Sequence, residues 1–163
     1  MYAYIMINNF MRLSTNFTLA EFTKSQTATR KGLDNTPNEE HLASAKALFE
    51  NVVQKVRDNF GVTVINSGYR GPALNEAVGG SSKSQHCKGE AVDIECPGTG
   101  NYDVAKWISE NCDFDQLILE FYTPGIPESG WVHVSYKSEG NRKSILTAMK
   151  ENGKTVYKNG LIQ

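Results

Sequence analysis

Apolar residues recur at helical spacing along one stretch of the chain, residues 36–61. They line one face of a predicted helix, and they are Leu42, Ala45, Leu48, Phe49, Val52, Val53, Val56 and Phe60. Thr36 and Pro37 suit the N-cap and the first helical position, and Glu39 completes a capping box with Thr36. Gly61 follows the last apolar position, where a glycine commonly ends a helix. The stretch therefore predicts a long amphipathic helix that packs on the core.

Two shorter segments also carry helix signals. Thr18 is followed three residues later by Glu21, a capping box that predicts a helical turn. Residues 101–112 have apolar positions at helical spacing, and Asn101 suits the N-cap. These apolar positions are Val104, Trp107 and Ile108.

Between and after the helices, apolar residues alternate with polar ones at the period of two that is typical of strands. The alternating segments are 62–67, 90–96, 114–122 and 130–137. The last two are joined by a proline-rich turn and predict an antiparallel hairpin. The tail, residues 145–158, contains Asn152-Gly153 and predicts a second hairpin. The order of elements predicts an α+β fold, a mostly antiparallel sheet with a long N-terminal helix packed on it.

Composition limits the number of domains and the class of partner. The chain has 163 residues, of which 39% are hydrophobic, and this is enough for one compact core. Its 17 basic and 18 acidic side chains give a formal net charge of −1, which does not favour binding to nucleic acid or to an anionic membrane. We therefore expect a single domain.

The cysteines and the N-terminus bear on the cellular compartment. Cys87, Cys96 and Cys112 are odd in number and too few for a disulfide framework, so free thiols in a reducing cytoplasm are expected. The apolar stretch at residues 2–7 is too short to span a membrane and lacks the basic and small-residue features of a secretory signal. We expect no targeting segment.

Residues 84–93, SQHCKGEAVD, place His86 in a polar turn and Asp93 in the strand that follows. One interpretation is a surface loop with incidental polar residues, and the other is that both side chains bind one metal ion. His133 lies between two valines in a later strand, so its side chain points away from theirs. A catalytic zinc site uses three nitrogen or oxygen ligands and leaves one position open. His86, Asp93 and His133 supply that set.

Cys87 allows competing interpretations. It stands beside His86, but adjacent side chains point in different directions and no third group is evident to orient a catalytic pair. Cys87 could also replace His86 as a zinc ligand, although two adjacent ligands on one ion would strain the loop. A further interpretation makes Cys87 and Cys96 a redox sensor or the ligands of a different metal.

The segment 84–93 resembles the zinc D-alanyl-D-alanine carboxypeptidase family, whose motif is Ser-x-His-x-x-Gly-x-Ala-x-Asp. That family includes vancomycin-resistance dipeptidases and phage L-alanyl-D-glutamate endolysins, and the hedgehog signalling domain shares its fold. Four further blocks, 17–37, 67–80, 114–121 and 130–136, are similar to the phage and prophage branch. The resemblance implies one zinc peptidase domain over residues 1–163. Its parts are an N-terminal extension (1–16), a family core (17–136) and a C-terminal hairpin (137–163).

The resemblance also implies roles for individual residues. It makes His86, Asp93 and His133 the zinc ligands. Arg70 corresponds to the arginine beside the scissile carbonyl, where a fixed guanidinium stabilises an oxyanion; the alternative is a loop residue bonded to backbone carbonyls. Ser84 and Gly89 are expected to be structural, Ser84 through bonds within the loop and Gly89 by permitting a tight turn.

The general base is the point at which this chain departs from a common pattern of the family. Several members place an acidic residue three positions before the last histidine, and that position is Gly130 here. Glu120 is the first candidate, because a hairpin partner of the His133 strand holds a carboxylate rigidly near the metal. Glu128, in the turn between the two strands, is the second choice.

The function implied by the resemblance is a zinc metallopeptidase that hydrolyses peptidoglycan stem peptides in the bacterial cell wall. Two activities fit, an endolysin-type L-Ala–D-Glu endopeptidase and a D-Ala–D-Ala carboxypeptidase. We expect a monomer, encoded by a bacteriophage or prophage, made in the cytoplasm and acting at the wall after release. It is expected neither to bind nucleic acid nor to insert into a membrane. The alternative is a non-catalytic, zinc-containing binding module of a phage or prophage particle.

Overall fold

A six-stranded β-sheet forms the centre of the fold in the computed structural model, which describes residues 10–163. The apolar stretch at residues 2–7 lies outside the described residues. The strands are β1 (Arg12–Ser14), β2 (Phe17–Thr18), β3 (Val64–Ser67), β4 (Ala91–Glu95), β5 (Gln116–Glu120), β6 (Trp131–Ser135), β7 (Ser144–Glu151) and β8 (Lys154–Asn159). The helices are α1 (Leu19–Thr23), α2 (Gln26–Lys31), α3 (Glu39–Leu48), α4 (Gln54–Phe60), α5 (Pro72–Ala77) and α6 (Asn101–Asn111). Across residues 10–163, no helix has both the length and the apolar character that a membrane crossing requires.

The sheet has the strand order β3-β4-β6-β5-β7-β8, and β1 and β2 form a separate two-stranded sheet. Every neighbouring pair in the large sheet is antiparallel except β5 and β7, which run parallel. The α+β class and the mostly antiparallel sheet are therefore confirmed. Both predicted hairpins are present, β5 with β6 and β7 with β8.

The prediction of one long N-terminal helix is not supported. Two short helices precede this stretch, and the stretch itself consists of α3, a π-helical segment (Phe49–Val53) and α4. Within the π-helical segment, the side-chain amide of Asn51 donates to the carbonyl of Ala47 at 2.8 Å. This bond competes with the backbone for a carbonyl of the helical ladder. Most of the apolar face is still fully buried, through Ala45, Leu48, Phe49, Val52, Val53 and Val56. Leu42 and Phe60, toward its two ends, are partly buried against the core.

The start of α3 also differs from the prediction. Its N-cap is Asn38, whose side-chain oxygen accepts a hydrogen bond from the N–H of His41 at 2.8 Å. Thr36 lies two residues earlier, and its N–H donates to the carboxylate of Asp34. Asparagine caps a helix at least as well as threonine, so the sequence held two suitable caps and the fold uses the later one.

The cap of α6 was also predicted wrongly, whereas that of α1 is confirmed. Gly100 is the N-cap of α6. Asn101 is buried, and its side-chain amide donates to the carbonyls of Ser129 and Gly130 in the turn between β5 and β6. Thr18 caps α1 as predicted, because its hydroxyl accepts from the N–H three residues later.

The two faces of the sheet have different surroundings. On one face, alternate residues of the three central strands are fully buried against the helices, and they are Val92, Ile94, Leu117, Leu119, Val132 and Val134. Phe49 meets the rings of Phe17 and Phe22 edge-on, at centroid distances of 5.2 and 5.3 Å. These rings join the small sheet and α1 to the main helical layer. The opposite face of the central strands is free to carry polar groups.

The segment between β3 and β4 was predicted as an irregular loop, but part of it is helical. It contains α5, with Pro72 at the first position, and a 3₁₀ turn (Gln85–Lys88) directly before β4. Proline fits the first position of a helix because that N–H needs no partner within the helix. These two helical turns restrict the backbone of the segment, and with it the positions of the side chains that the segment carries.

We expect Phe49→Ala to lower the free energy of unfolding by about 3–5 kcal/mol, because it removes a fully buried ring that two other rings contact. Val62→Ala is the matched control. Val62 is 63% exposed, so its truncation should change stability by less than about 0.5 kcal/mol. Equilibrium urea unfolding measures both values, and equal losses would show that the aromatic cluster is not part of the core.

Candidate metal centre

Strand register brings two of the three predicted ligands together. Asp93 of β4 lies directly opposite His133 of β6, and His133 lies opposite Ile118 of β5. Directly opposed residues of antiparallel strands present their side chains on the same face, with Cβ atoms about 4.5–5.5 Å apart. The buried valines beside His133 occupy the other face. The polar face of the sheet therefore carries a row of three side chains, with Asp93 and His133 adjacent.

The third predicted ligand, His86, comes from the 3₁₀ turn. Ser84 caps this turn, and its hydroxyl accepts a hydrogen bond from the N–H of His86. Gly89 ends the turn with a φ of 73°, and a Cβ atom there would lie 2.3 Å from the carbonyl oxygen of His41 in α3. Ser84 and Gly89, the two residues expected to be structural, thus lie at the two ends of the turn that carries His86. Only glycine satisfies the backbone angle and the close helix contact together.

The donor atoms of the three side chains converge. Asp93 Oδ1 lies 2.9 Å from His133 Nδ1 and 3.5 Å from His86 Nε2. One ligand atom from each residue lies within 4.8 Å of the others, and the two histidines are buried. His86 Nδ1 donates to the carbonyl of Gly68 at 2.8 Å, which leaves the lone pair of Nε2 directed at the group. Two imidazoles and one carboxylate, with an outer hydrogen bond that orients one ring, fit a catalytic zinc ion.

The electrostatics of this group keep the carboxylate charged. Burial raises the pKa of Asp93, but its hydrogen bonds to His133 and His86, together with their charges, outweigh burial and hold that pKa well below its usual range. Asp93 is therefore ionised when the two rings are beside it. An ionised carboxylate is the form that binds a metal.

A cavity of about 710 Å³ lies over this face of the sheet, and the three side chains form part of its lining. Gln116, Ile118 and Glu120 also line it, because alternate residues of β5 point to the same face. Burial, followed by the negative charge of Asp93, raises the pKa of Glu120, and the positive charge of His133 acts in the opposite direction. Glu120 is thus a partly buried carboxylate in the same cavity as His86, Asp93 and His133.

The second candidate for the base lies elsewhere. Glu128 accepts a hydrogen bond from the N–H of Gly98 at 2.7 Å and lines a different, smaller cavity beside Cys96. Gly130 occupies the position at which several members of the family that the sequence resembles carry an acidic residue. It has a φ of 65°, and a Cβ there would lie 2.0 Å from the carbonyl oxygen of Glu120. A side chain at position 130 would collide with the end of β5. The acidic residue of the common pattern therefore has no space in this chain.

Arg70 also lines the cavity over His86, Asp93 and His133, which we call the metal cavity. Its Nη2 donates to the hydroxyl of Ser84 at 3.2 Å, and its backbone N–H donates to the carbonyl of His86 at 3.1 Å. Its Nε is buried and has no hydrogen-bond partner among residues 10–163. The side chain is not bonded to backbone carbonyls as the alternative interpretation required. It is attached instead to the turn that carries His86.

The cysteines lie apart from the metal group. Within the described residues the group consists of His86, Asp93 and His133, and Cys87 is not part of it. The Cys87 thiol points to the carbonyl of Ser81, and burial raises the pKa of both Cys87 and Cys96. Raised pKa values disfavour the thiolate, which is the form that attacks a substrate or binds a metal. All three cysteines are free thiols, as predicted.

Three residues near the site were not predicted from the sequence. Asp115 is buried and pairs with Arg142, and the side chain of Gln85 donates to Asp115 at 3.1 Å. Gln85 and Arg142 both line the metal cavity. Positions 85, 115 and 142 are far apart in the chain and share no motif, so no local signal marks them. The only available signal was the position of Gln85 beside a predicted ligand.

Residues 15–135 match the family model described as peptidase M15. The match covers well over half of the 163 residues and includes His86, Asp93, His133, Glu120 and Arg70. Comparison with curated proteins gives no match. The family match confirms the resemblance that the sequence motifs indicated.

Purified wild-type protein should retain a single zinc ion per chain after dialysis, whereas His86→Ala, Asp93→Ala and His133→Ala should each lose it. Removal of one of three protein ligands leaves too few donors to hold the ion. Inductively coupled plasma mass spectrometry measures zinc content, and circular dichroism checks the fold. Cys87→Ala is the control and should keep its zinc. Zinc loss in Cys87→Ala to the extent seen in Asp93→Ala would assign the thiol to the ligand set.

Gly130→Ala should lower the free energy of unfolding by more than about 2 kcal/mol, because a left-handed backbone angle and a backbone collision act together. Gly125→Ala is a matched control. Gly125 has a φ of 85° and open space around its Cβ position, so only the angle should cost stability, about 1 kcal/mol. Chemical denaturation compares the two variants. Equal losses would mean that the approach of residue 130 to β5 does not restrict the side chain there.

Proposed function

The chain belongs to the peptidase M15 family, and from this membership we propose that it is a zinc-dependent peptidase acting on the stem peptides of bacterial peptidoglycan. Membership implies a metallopeptidase, and we add to this a substrate in the bacterial cell wall. The observation that carries it is the placement of Glu120 and Arg70 in the same cavity as the converging side chains of His86, Asp93 and His133.

A zinc ion bound by His86, Asp93 and His133 would act as a Lewis acid, which polarises the scissile carbonyl and activates water. Glu120 stands on the adjacent strand, on the same face as this ligand set. Its carboxylate accepts the proton of the attacking water, and it then returns that proton to the leaving amine. A single carboxyl group can serve as base and acid in turn when its pKa is raised toward neutrality. Burial raises the pKa of Glu120 in this direction.

Arg70 supplies a positive charge for the carbonyl oxygen as negative charge develops there. Its bond to Ser84 directs the guanidinium along the turn that carries His86. A guanidinium already fixed in place needs little reorganisation during the reaction, which is the source of its catalytic value. Its Nε is buried and finds no hydrogen-bond partner in the part of the chain that the structure describes.

The catalytic hypothesis is better supported than the alternative of a non-catalytic binding module. A module that uses zinc only for structure has no use for a carboxylate with a raised pKa or for a guanidinium in the metal cavity. Two bonds remain candidates, L-Ala–D-Glu and D-Ala–D-Ala. We place the protein at the bacterial cell wall after release, as a phage or prophage product.

Glu120→Gln should retain zinc and lose roughly 10²- to 10⁴-fold in turnover, because the amide keeps the shape of the side chain but cannot accept the proton. Mass spectrometry of purified peptidoglycan fragments follows the reaction. A new free amino terminus on D-Glu identifies the endopeptidase, and loss of a terminal D-Ala identifies the carboxypeptidase.

Glu128→Gln is the matched control and should turn over at the wild-type rate, because Glu128 lies outside the metal cavity. Loss of activity in Glu128→Gln with full activity in Glu120→Gln would reverse the assignment of the base. Unchanged fragments from zinc-loaded, folded wild type on several wall chemotypes would favour the binding module.

A further inference from the structure

An ion pair to a buried carboxylate fixes one cationic side chain at the edge of the metal cavity. Arg142 donates from Nε to Asp115 Oδ1 at 3.0 Å and from Nη2 to Asp115 Oδ2 at 2.9 Å, and its backbone N–H donates to the same carboxylate at 3.1 Å. The Asp115 side chain is 1% exposed. The hydrogen bond from Arg142 holds the pKa of Asp115 below its usual range. A two-point bond to an ionised, buried carboxylate determines the plane of the guanidinium.

The pair with Asp115 uses only one side of the guanidinium. Nε and one hydrogen of Nη2 are occupied, so both hydrogens of Nη1 and the second hydrogen of Nη2 remain. Within residues 10–163 the side chain of Arg142 donates to no other group. The Arg142 side chain is 58% exposed, and the residue lines the metal cavity. The two end nitrogens therefore form a second fork, which is open to a ligand and suited to a carboxylate.

The other cations of this cavity do not share that arrangement. Lys83, Lys88 and Lys137 line it as well. A lysine ammonium is a point charge on a flexible stem and does not present a two-point fork. Arg70 is attached to Ser84 beside His86, where the scissile carbonyl is expected. Arg142 is thus the cation in this cavity that a buried carboxylate holds in a fixed orientation.

Arg142 and Glu120 lie toward opposite ends of β5. Ile118, in the middle of the strand, is opposite His133, and Glu120 is at the end next to the β5–β6 turn. Asp115 immediately precedes the strand and holds Arg142 at the other end. Alternate residues of a strand are about 7 Å apart, so the cavity spans the metal group in both directions. A substrate lying along β5 would meet Glu120, the metal group and Arg142 in sequence.

The two candidate bonds share a chemical feature. In D-Ala–D-Ala the residue that supplies the leaving amine carries the terminal carboxylate on its α-carbon. In L-Ala–D-Glu the stem peptide continues through the γ-carboxyl of D-Glu, so the α-carboxylate of the leaving residue is again free. Both substrates therefore place an anionic carboxylate two bonds from the nitrogen that is released.

We propose that Arg142 is a specificity-determining residue that binds this α-carboxylate through the open fork of its guanidinium. The proposal rests on the proposed peptidase function and adds the residue that recognises the free α-carboxylate of the leaving residue. Arg142 lies beyond residues 15–135, so this specificity comes from outside the segment that matches the family model. Asp115 is the positioning residue that orients the guanidinium.

The test compares paired substrates that differ only in the charge of one group. One pair is a stem pentapeptide ending in D-Ala–D-Ala as the free acid or as the C-terminal amide. The other is a peptide containing L-Ala–D-Glu with the D-Glu α-carboxylate free or converted to the α-carboxamide. For zinc-loaded wild type and the pair that is cleaved, we expect kcat/KM for the acid to be roughly 10- to 100-fold higher than kcat/KM for the amide. The cleaved pair also identifies the scissile bond.

Arg142→Gln should reduce this acid-to-amide ratio to near one. The ratio is measured within one protein, so it does not change if the variant is less stable because Asp115 has lost its partner. Arg142→Lys should give an intermediate ratio, since it keeps the charge and loses the fork. Lys158→Gln is the matched control. It removes a cation from an ion pair with Glu151 on the same C-terminal hairpin, outside the cavity, and should keep the wild-type ratio.

Several results would overturn the proposal. A wild-type ratio retained in Arg142→Gln, or lost instead in Lys137→Gln, would assign carboxylate binding elsewhere. Equal cleavage of acid and amide by wild type would reject the carboxylate subsite and leave the peptidase function intact. If wild type cleaves neither pair, the peptidase function fails, and calorimetric binding of the same peptides then judges Arg142. If Arg142→Gln binds the acids tenfold more weakly than wild type does, and binds the amides as tightly as wild type does, the subsite is supported. If it binds the acids as tightly as wild type does, the subsite is rejected.

Discussion

The antiparallel register among β4, β6 and β5 is the constraint on which the rest of the site depends. It places Asp93, His133 and Ile118 in one row across three strands. Because side chains alternate between the faces of a strand, a slip of one residue would turn a ligand toward the core and a valine toward the cavity. The buried face prevents this slip, since Val132 and Val134 are fully enclosed. Burial of the apolar residues on one face thus determines where the metal ligands lie on the other.

The third ligand depends on contacts outside the sheet. His86 is held by Ser84, by the carbonyl of Gly68 and by the close approach of Gly89 to α3. Each of these contacts restricts a different degree of freedom, namely the start of the turn, the rotation of the ring and the distance to the helix. Ligands fixed before the metal arrives cost little conformational entropy on binding. The helical layer therefore helps to position the turn that carries His86, although it contributes no ligand.

Much of the fold and the metal group could be predicted from the sequence, because both follow from short-range signals. Alternation predicted the strands and hairpins. The motif in residues 84–93, the alternation around His133 and the family resemblance led to the three side chains that the structure brings together. The failures arose where competing local interactions decided the outcome. Asn38 and Thr36 are both adequate caps, and a π-helical segment interrupts the middle of a helix whose apolar pattern is continuous. The Asp115–Arg142 pair joins distant positions, which no periodicity reveals.

The parallel pairing of β5 with β7 has a consequence for synthesis of the chain on the ribosome. Residue 133, the last of the three metal-binding candidates, is made before β7, which spans Ser144–Glu151. Until those residues emerge, β5 has one uncovered edge, with a row of free backbone donors and acceptors beside Glu120. A nascent chain at this stage holds every metal-binding candidate but only an incomplete sheet, and its open strand invites pairing with neighbouring chains. Pairing with β7 covers that edge, and β8 in turn covers β7, so the open edge of the finished sheet lies two strands away from β5.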